Sequence, residues 1–120
     1  MIDLLWPDRI LHPNARPHWA VKAKAVKIYR EYAEMMARQS GIKLSPDEML
    51  HLHVTFRPPS KRRFDIDGLL SSIKAGIDGI SDGLSINDYA FRSASVEIGE
   101  PVKGGGVRVS IYTLKAKEIA

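Results

Sequence analysis

Two aspartates one residue apart, Asp65 and Asp67, are the side chains of this sequence best suited to chemistry. In extended backbone, side chains two positions apart point to the same side, and two carboxylates there repel each other unless a cation lies between them. Mg²⁺ prefers such oxygen ligands, and Mn²⁺ can substitute for it. A third acid, Asp88, precedes a predicted strand and is expected to be held beside the start of the helix that follows Asp67.

The same three aspartates also fit a purely structural interpretation. Asp65 or Asp67 is well placed to cap the helix, because a carboxylate there accepts a free backbone N–H and faces the positive helix end. The other aspartate would then be a surface charge, and Asn87-Asp88 would be part of a turn. The residues around the pair decide between these alternatives.

Basic residues precede the acidic pair directly, in the segment Lys61-Arg62-Arg63. Lysine and arginine bind phosphates while aspartate binds a metal ion, which is the combination that phosphodiester cleavage needs. Lys74 lies seven residues after Asp67, close to two helical turns, so the two share a helix face. There Lys74 would offset transition-state charge; alternatively it forms a surface ion pair with Asp78.

The four histidines have no spacing that defines a metal site. His51 and His53 point the same way from a predicted strand, but zinc needs a third ligand, so a solvated or interfacial sheet face is favoured. His12 and His18 occupy the N-terminal loop. His18 is interpreted either as a DNA contact or as a hydrogen-bonded structural residue.

The composition limits the class of protein. The 120 residues suit one domain, with 44% hydrophobic residues and a net charge of +4 that moderately favours nucleic acid as a partner. There is no cysteine, which excludes a thiolate metal site and fits a reducing compartment. No apolar stretch approaches the roughly 18 residues of a membrane span, and the N-terminus is too short and acidic for a secretory signal. Because glycine-rich nucleotide motifs are also missing, the sequence predicts a cytoplasmic protein with no membrane partner and no organic cofactor.

Hydrophobic periodicity predicts the elements that position these residues. In chain order they are a strand at Ile2–Trp6, a helix from Trp19 to about Gln39, a strand at Met49–Arg57, a helix with the stripe Leu69, Leu70, Ile73, Ile77 and Ile80, a loop at residues 81–87, a strand at Phe91–Gly99 and a last strand with Val107, Val109 and Ile111. The prediction is one α/β domain (α+β-like) over residues 1–120, in the order β-α-β-α-β-β. It has a mixed sheet of about four strands, two main helices on one face, and a hairpin joining the last two strands.

Within the first helix, the residues that recur at three- and four-residue steps are expected to face the core. They are Val21, Ala25, Ile28, Tyr32 and Met35/Met36. The charged residues off that stripe are expected in solvent; they are Lys24, Lys27, Glu31, Glu34 and Arg38.

Several segments together resemble the RusA family of Holliday junction resolvases. One is Arg62-Arg63-Phe64-Asp65-Ile66-Asp67-Gly68-Leu69, followed by Lys74-Ala75-Gly76-Ile77-Asp78-Gly79-Ile80 and by Asn87-Asp88. Another is Asn14-Ala15-Arg16-Pro17-His18-Trp19-Ala20-Val21-Lys22-Ala23, which is similar to phage and prophage members. The resemblance covers most of the chain and agrees with the predicted order of elements.

The resemblance implies a homodimeric, Mg²⁺-dependent endonuclease that resolves four-way DNA junctions by paired symmetric nicks, in recombination and repair. It implies that Asp65, Asp67 and Asp88 bind the metal and that Lys74 is the catalytic lysine. In some members the lysine follows the second aspartate by one turn, which here is Ser71, but the local context selects Lys74. A second departure is Gly68, where many relatives have asparagine.

We expect the DNA to be held by the basic loop Lys61-Arg62-Arg63 and by basic and polar residues of the N-terminal segment. The predicted DNA-binding residues are Asn14, Arg16, His18, Lys22, Lys61, Arg62 and Arg63. Asn14 would either line the DNA-facing edge or fix the N-terminal loop. Two other functions remain open: a non-catalytic DNA-binding module of the same fold, and a general branched-DNA nuclease without junction preference.

Overall fold

Four strands and two helices alternate along the chain in a computed structural model that describes residues 1–13, 15–16, 18–45 and 47–114. The elements are β1 (Ile2–Leu4), α1 (Trp19–Gln39), β2 (Leu50–Arg57), α2 (Ile66–Leu84), β3 (Phe91–Ile98) and β4 (Gly106–Thr113), with short 3-10 helices at Arg9–Leu11 and Asp88–Ala90. This confirms the predicted fold, a mixed sheet with two main helices. Among the residues described, neither helix combines the length and the apolar character that crossing a membrane requires.

The sheet order is β1-β4-β2-β3, which corrects the predicted hairpin between the last two strands. After α2 the chain returns parallel to β2, with Val54 beside Val96, so β3 occupies an edge. The following turn crosses the end of β2, where the Val102 N–H donates to the Pro58 carbonyl at 2.9 Å. Strand β4 then runs antiparallel between β1 and β2, pairing with both.

Strand β2 alternates as predicted between a buried face and an open one. Leu50, Val54 and Phe56 are at most 1% exposed and pack beneath the helices, while His51 and His53 project from the opposite face. Burying such side chains contributes about 1.5–3 kcal/mol each, so this alternation fixes which face of the sheet the helices cover. The polar face remains open because, within the described residues, both helices lie on the other side.

Helices α1 and α2 run parallel and unusually close together. Tyr29 contacts Gly76, and Ala37, eight residues further along α1, contacts Gly83. The residue numbers therefore increase in the same direction along both helices. A Cβ at Gly79 would collide with the Arg30 carbonyl oxygen. The approach is possible because α2 presents glycine where α1 presents its backbone and small side chains.

This contact corrects the predicted core stripe of α1. The buried residues of α1 are Tyr29, Ala33 and Ala37. By contrast Val21, Ile28 and Met35 are 49%, 58% and 49% exposed. From the predicted stripe, Ala25, Tyr32 and Met36 do pack against the core. The register differs because the glycine-lined surface of α2 admits alanines at the closest contact, and this rotates the larger side chains outward.

Two element boundaries also differ from the prediction by more than one residue. Strand β1 ends at Leu4 rather than at Trp6. Helix α2 continues through residues 81–84, which had been expected in a loop, because the Ser81 hydroxyl donates to the Ile77 carbonyl and Gly83 packs against α1. It ends at Leu84, and the capping residue Ser85 has a left-handed φ of 56°.

Candidate active site

The acidic pair lies at the start of α2. Asp65 is extended and caps the helix, since its Oδ1 accepts the Asp67 backbone N–H at 3.2 Å. Asp67 belongs to the first helical turn, and both carboxylates are exposed. The structural interpretation of Asp65 as a cap is therefore confirmed. A cap uses one carboxylate oxygen, so the second oxygen of Asp65 and both oxygens of Asp67 can still accept a cation.

The parallel helices bring the predicted DNA-binding residues to the same end of the molecule as this pair. Because α1 and α2 are aligned along their lengths, their N-termini at Trp19 and Ile66 share one end. The first 3-10 helix packs against both. At this end Arg16 is exposed and Lys22 is half-buried, whereas Asn14 lies outside the described residues.

His18 has a structural role at this end. Its Nδ1 accepts the Ala20 backbone N–H at 3.2 Å, which makes it the N-cap of α1, and its ring lies 5.6 Å from that of Trp19. The hydrogen-bonded interpretation of His18 is thus confirmed. The residue is exposed, so its other ring nitrogen still faces solvent, where a DNA contact stays a prediction.

A chain of aromatic rings anchors the basic loop beside the acids. The Arg62 guanidinium lies over Phe64, 5.0 Å from the ring centroid. Phe64 meets Trp6 edge-on at 5.4 Å, and Trp6 meets the buried Phe56 at 6.1 Å. A cation–π contact of this kind is worth about 0.5–1 kcal/mol at an exposed site. This contact holds Arg62, three residues before Asp65, in place without neutralising the charge of the guanidinium.

The electrostatics of this end favour an anion with phosphate groups. Both helix N-termini carry a partial positive charge of about one half, and exposed or half-buried basic side chains surround them. These side chains are Arg16, Lys22, Lys61, Arg62 and Arg63. Within the described residues none of them forms an ion pair with a carboxylate, so their charge is available to a partner.

His12 is a residue of this site that sequence reasoning left without a role. Its ring packs on the first turn of α2, where a Cβ at Gly68 would lie 2.8 Å from the His12 Nε2. The departure at Gly68 thus has a steric reason, because any side chain there would displace the imidazole. The sequence signal for this contact is the presence of a glycine in the first turn of α2 together with a histidine in the N-terminal loop.

Asp88 is not held beside the start of α2, which corrects the expectation. It lies after the other end of the helix, three residues before Phe91, which pairs with Leu50 at the beginning of β2. The 18 residues from Asp67 to Ser85 rise about 27 Å along the helix axis. The charge of Asp88 instead acts on Arg30, whose pKa is raised chiefly by its hydrogen bond to Asp82.

Lys74 also has a partner away from the pair. Its Nζ lies 3.5 Å from both carboxylate oxygens of Asp78, in an exposed ion pair one turn further along α2. This is the alternative that the spacing left open. The side chain is 76% exposed, so such a pair contributes only tenths of a kcal/mol and does not prevent Lys74 from turning toward a bound phosphate.

The described residues bring two carboxylates, those of Asp65 and Asp67, together at the start of α2. In the part of the chain that the structure describes, no group of three histidine, cysteine, aspartate or glutamate side chains is arranged to hold a metal ion. The two carboxylates at the start of α2 nevertheless suit Mg²⁺, which keeps several waters and is often bound by one or two carboxylates together with substrate phosphate.

The open face of the sheet holds a polar network that lies outside this site. His51 bonds through its two ring nitrogens to Ser93 and Ser95, and His53 bonds to Ser95 and, at 2.9 Å, to Glu97. An ionised Glu97 only accepts hydrogen bonds, so the His53 Nε2–H donates to it. Both histidines lie on the open face of the sheet, as predicted, where they are half-buried among the serines and Glu97 of β3.

No model of a known protein family matches the chain. An uncharacterized protein of Xylella fastidiosa is 41% identical over 113 residues, an alignment that covers 92% of this chain and 74% of the relative. The alignment spans nearly every element described above, including both ends of α2. At this level of identity and coverage, the chain belongs to the same protein family as the Xylella fastidiosa protein.

Proposed function

We propose that the protein is a Mg²⁺-dependent DNA endonuclease that acts on branched DNA, with Asp65 and Asp67 at its centre. The position of these two residues supports the proposal. Their exposed carboxylates lie at the end of the molecule that holds the N-termini of both helices and the basic segment Lys61-Arg62-Arg63. Carboxylates surrounded by unpaired cations are suited to a substrate that brings both phosphate and a metal ion. The resemblance to RusA resolvases supports the four-way junction as the substrate, within the cytoplasm.

The residues at the start of α2 fit the metal by their chemistry. Asp67 and the oxygen of Asp65 not used for capping would hold Mg²⁺, or Mn²⁺ in its place. When bound, the ion would make a coordinated water more acidic and neutralise charge on the phosphate. Asp65 itself remains fixed by its hydrogen bond from the Asp67 backbone, which orients the carboxylate before any substrate arrives.

The chain's own cations would bind and orient the DNA. Arg62, held over Phe64, and its neighbours Lys61 and Arg63 would contact the phosphate backbone, and Lys22 would do so from α1. Lys74 would leave Asp78 to stabilise charge on the leaving oxygen, which costs little because the ion pair is exposed. Each of these contacts is electrostatic and independent of base sequence.

Asp88 would enter the site from a second copy of the chain. A two-fold axis perpendicular to the helices reverses their direction, so it brings the Asp88 end of one copy to the Asp65 end of the other. The proposed homodimer would then have two sites, each with Asp65 and Asp67 from one chain and Asp88 from its partner. This arrangement suits paired nicks in a junction that is itself nearly two-fold symmetric.

Complementation between two inactive variants tests this composite site. Asp67→Asn and Asp88→Asn homodimers should each fail to cut a synthetic four-way junction. An equal mixture, co-refolded, should regain about a quarter of the wild-type sites, and each heterodimer should nick one strand only. If the three aspartates acted within one chain, the mixture would stay as inactive as the two variants.

Substrate preference and metal dependence separate the proposal from its two alternatives. Cleavage should be measured on a four-way junction, a fork, linear duplex and single strand of equal sequence, with increasing Mg²⁺. A resolvase cuts the junction best and requires the metal. Equal cutting of all four would leave a general nuclease, and binding without cutting at any Mg²⁺ concentration would leave a DNA-binding module.

A further inference from the structure

An exposed tryptophan lies at the start of α1. Trp19 is the first residue of that helix, and at 77% it is the most exposed large hydrophobic side chain among the described residues, although tryptophan is usually well buried. Side chains of a helix lean toward its N-terminus, so the indole extends past the start of α1. The imidazole of His18, held as the helix cap, lies 5.6 Å from the indole at an angle of 33°. One ring thus flanks the indole, and most of its surface faces solvent.

The packing of the two helices places Trp19 at the level of Asp65. Ala37 of α1 contacts Gly83 of α2, and Trp19 and Asp65 each precede these contacts by 18 positions. Eighteen residues make five turns of an α-helix, so Trp19 lies on the same side of α1 as Ala37, which is the side that faces α2. The indole therefore lies across from the first of the two candidate metal-binding carboxylates, at the N-terminal end of the helix pair.

The charges around the indole indicate what kind of molecule would cover it. Within the described residues, the basic side chains of this end form no ion pair, so they attract an anion. A molecule that covers this surface must therefore bring negative charge and a flat apolar group close together. A nucleotide joins a phosphate to a planar base, and every base can stack on an aromatic side chain. An anionic lipid instead brings flexible hydrocarbon chains, which do not match a single flat ring.

We propose that Trp19 stacks on a nucleobase that has lost a stacking neighbour, as at a branch point or a bulge, beside the phosphate bound at Asp65 and Asp67. The inference rests on the proposed function only in taking DNA as the partner of this end. In a continuous duplex each base already stacks on its neighbours, so the indole favours interrupted duplexes. Because stacking does not read the edge of a base, the preference is for structure and not for sequence.

An alanine substitution tests the stacking on DNA that cannot be cut. Binding is measured without Mg²⁺, by fluorescence anisotropy, on a continuous duplex, the same duplex with one bulged base, and a four-way junction. Polyether linkers close every arm, so that no strand end is free. Trp19→Ala should weaken binding to the bulge and the junction about tenfold and leave the continuous duplex within about twofold. Trp19→Phe keeps a flat ring and should retain most of the affinity.

Two other substitutions serve as controls. Tyr112→Ala removes an aromatic ring that is 56% exposed on the open face of the sheet, and it should leave binding to all three DNAs unchanged. Arg63→Ala removes a phosphate contact and should weaken binding to all three DNAs alike. Circular dichroism should show Trp19→Ala folded, because the indole is mostly in solvent.

Fluorescence quenching identifies the ring that stacks. The chain has two tryptophans, and Trp6 is half-buried against Phe56 and Phe64. Bulged DNA should quench the emission of the wild-type protein and leave that of Trp19→Phe nearly unchanged, because Trp6 cannot reach a base. Phosphatidylglycerol vesicles should cause no blue shift of the emission. A blue shift with vesicles and no quenching by DNA would overturn the proposal and assign the indole to a lipid surface.

The outcomes separate the stacking from the proposed function. Equal weakening of all three DNAs by Trp19→Ala would make the indole a backbone contact, and Trp19→Phe as weak as Trp19→Ala would show that a flat ring is not what binds. Either result overturns the stacking while leaving nuclease activity open. Selective weakening with quenching, in a protein that cuts no DNA when Mg²⁺ is added, would support the stacking and reject the nuclease.

Discussion

At the scale of single residues, Asp65 combines a structural and a proposed catalytic task that different substitutions separate. Asparagine also caps helices, so Asp65→Asn should change the free energy of unfolding by less than about 0.5 kcal/mol. Asp65→Ala removes the cap as well and should destabilise the protein by about 1 kcal/mol. Both substitutions remove the anionic ligand and should abolish Mg²⁺-dependent cleavage.

Chemical denaturation and junction cleavage, measured on both variants, check this prediction. Asp67→Asn should likewise abolish cleavage while junction binding stays intact or becomes tighter, because an anion near the phosphate is removed. Cleavage that survived in Asp65→Asn would contradict a role of this carboxylate beyond the cap. Equal stability of the two Asp65 variants would contradict the cap itself.

At the scale of elements, the close contact of the two helices depends on Gly79. A Cβ there would overlap the Arg30 carbonyl oxygen and lie 2.9 Å from the Ala33 Cβ. Backbone cannot rotate away as a side chain can, so α1 must move. Gly79→Ala should therefore lower the free energy of unfolding by about 2 kcal/mol or more, although alanine is the better helix former.

Thermal and urea unfolding measure that loss against a control on the same helix. Ser71→Ala lies on the exposed side of α2 and should leave stability within about 0.5 kcal/mol of wild type. If Gly79→Ala were as stable as the control, the close packing of the helices would be wrong.

The strand pair β2–β3 should make stability depend on acid pH. Hydrogen bonds from His53 and then Thr55 hold the pKa of Glu97 below its ordinary value. A lowered pKa means that the stabilisation is present above the pKa of the unfolded chain and is lost as pH falls through the lower folded value. Glu97→Gln removes this titration.

Unfolding followed from about pH 5 to about pH 3 should consequently show a smaller loss of stability in Glu97→Gln than in wild type. Ser93→Ala, which leaves the carboxylate in place, should keep the wild-type pH dependence. An identical acid profile for Glu97→Gln and wild type would show that the network does not stabilise the folded chain in this range.

At the scale of the whole molecule, the parallel helices concentrate positive charge at one end. DNA binding there should weaken steeply as salt rises, because each neutralised phosphate releases counterions. Arg63→Ala should lower the slope of log K against log salt by about one unit, equally for all DNA sequences. Fluorescence anisotropy at several salt concentrations measures this slope. Lys103→Ala is the control, and an unchanged slope for Arg63→Ala would remove Arg63 from the interface.

Much of the fold was determined by local pattern. The alternation of β2, the presence of the two helices and the acid before the first turn of α2 each require only neighbours in sequence, and the structure confirms them. The candidate pair Asp65 and Asp67 with the preceding basic segment could be found for the same reason. Residues within three or four positions of each other are close in space in any fold.

Only the tertiary structure determined which residues that are far apart along the chain lie close together in space. Asp88 is separated from Asp67 by helix α2, whose 18 residues from Asp67 to Ser85 rise about 27 Å along the axis. His12 reaches the site because Gly68 leaves room for its ring. Likewise Val21, Ile28 and Met35 repeat with a helical period, but the period does not say which face is covered. The glycines of α2 decided that, because they set where the two helices can approach.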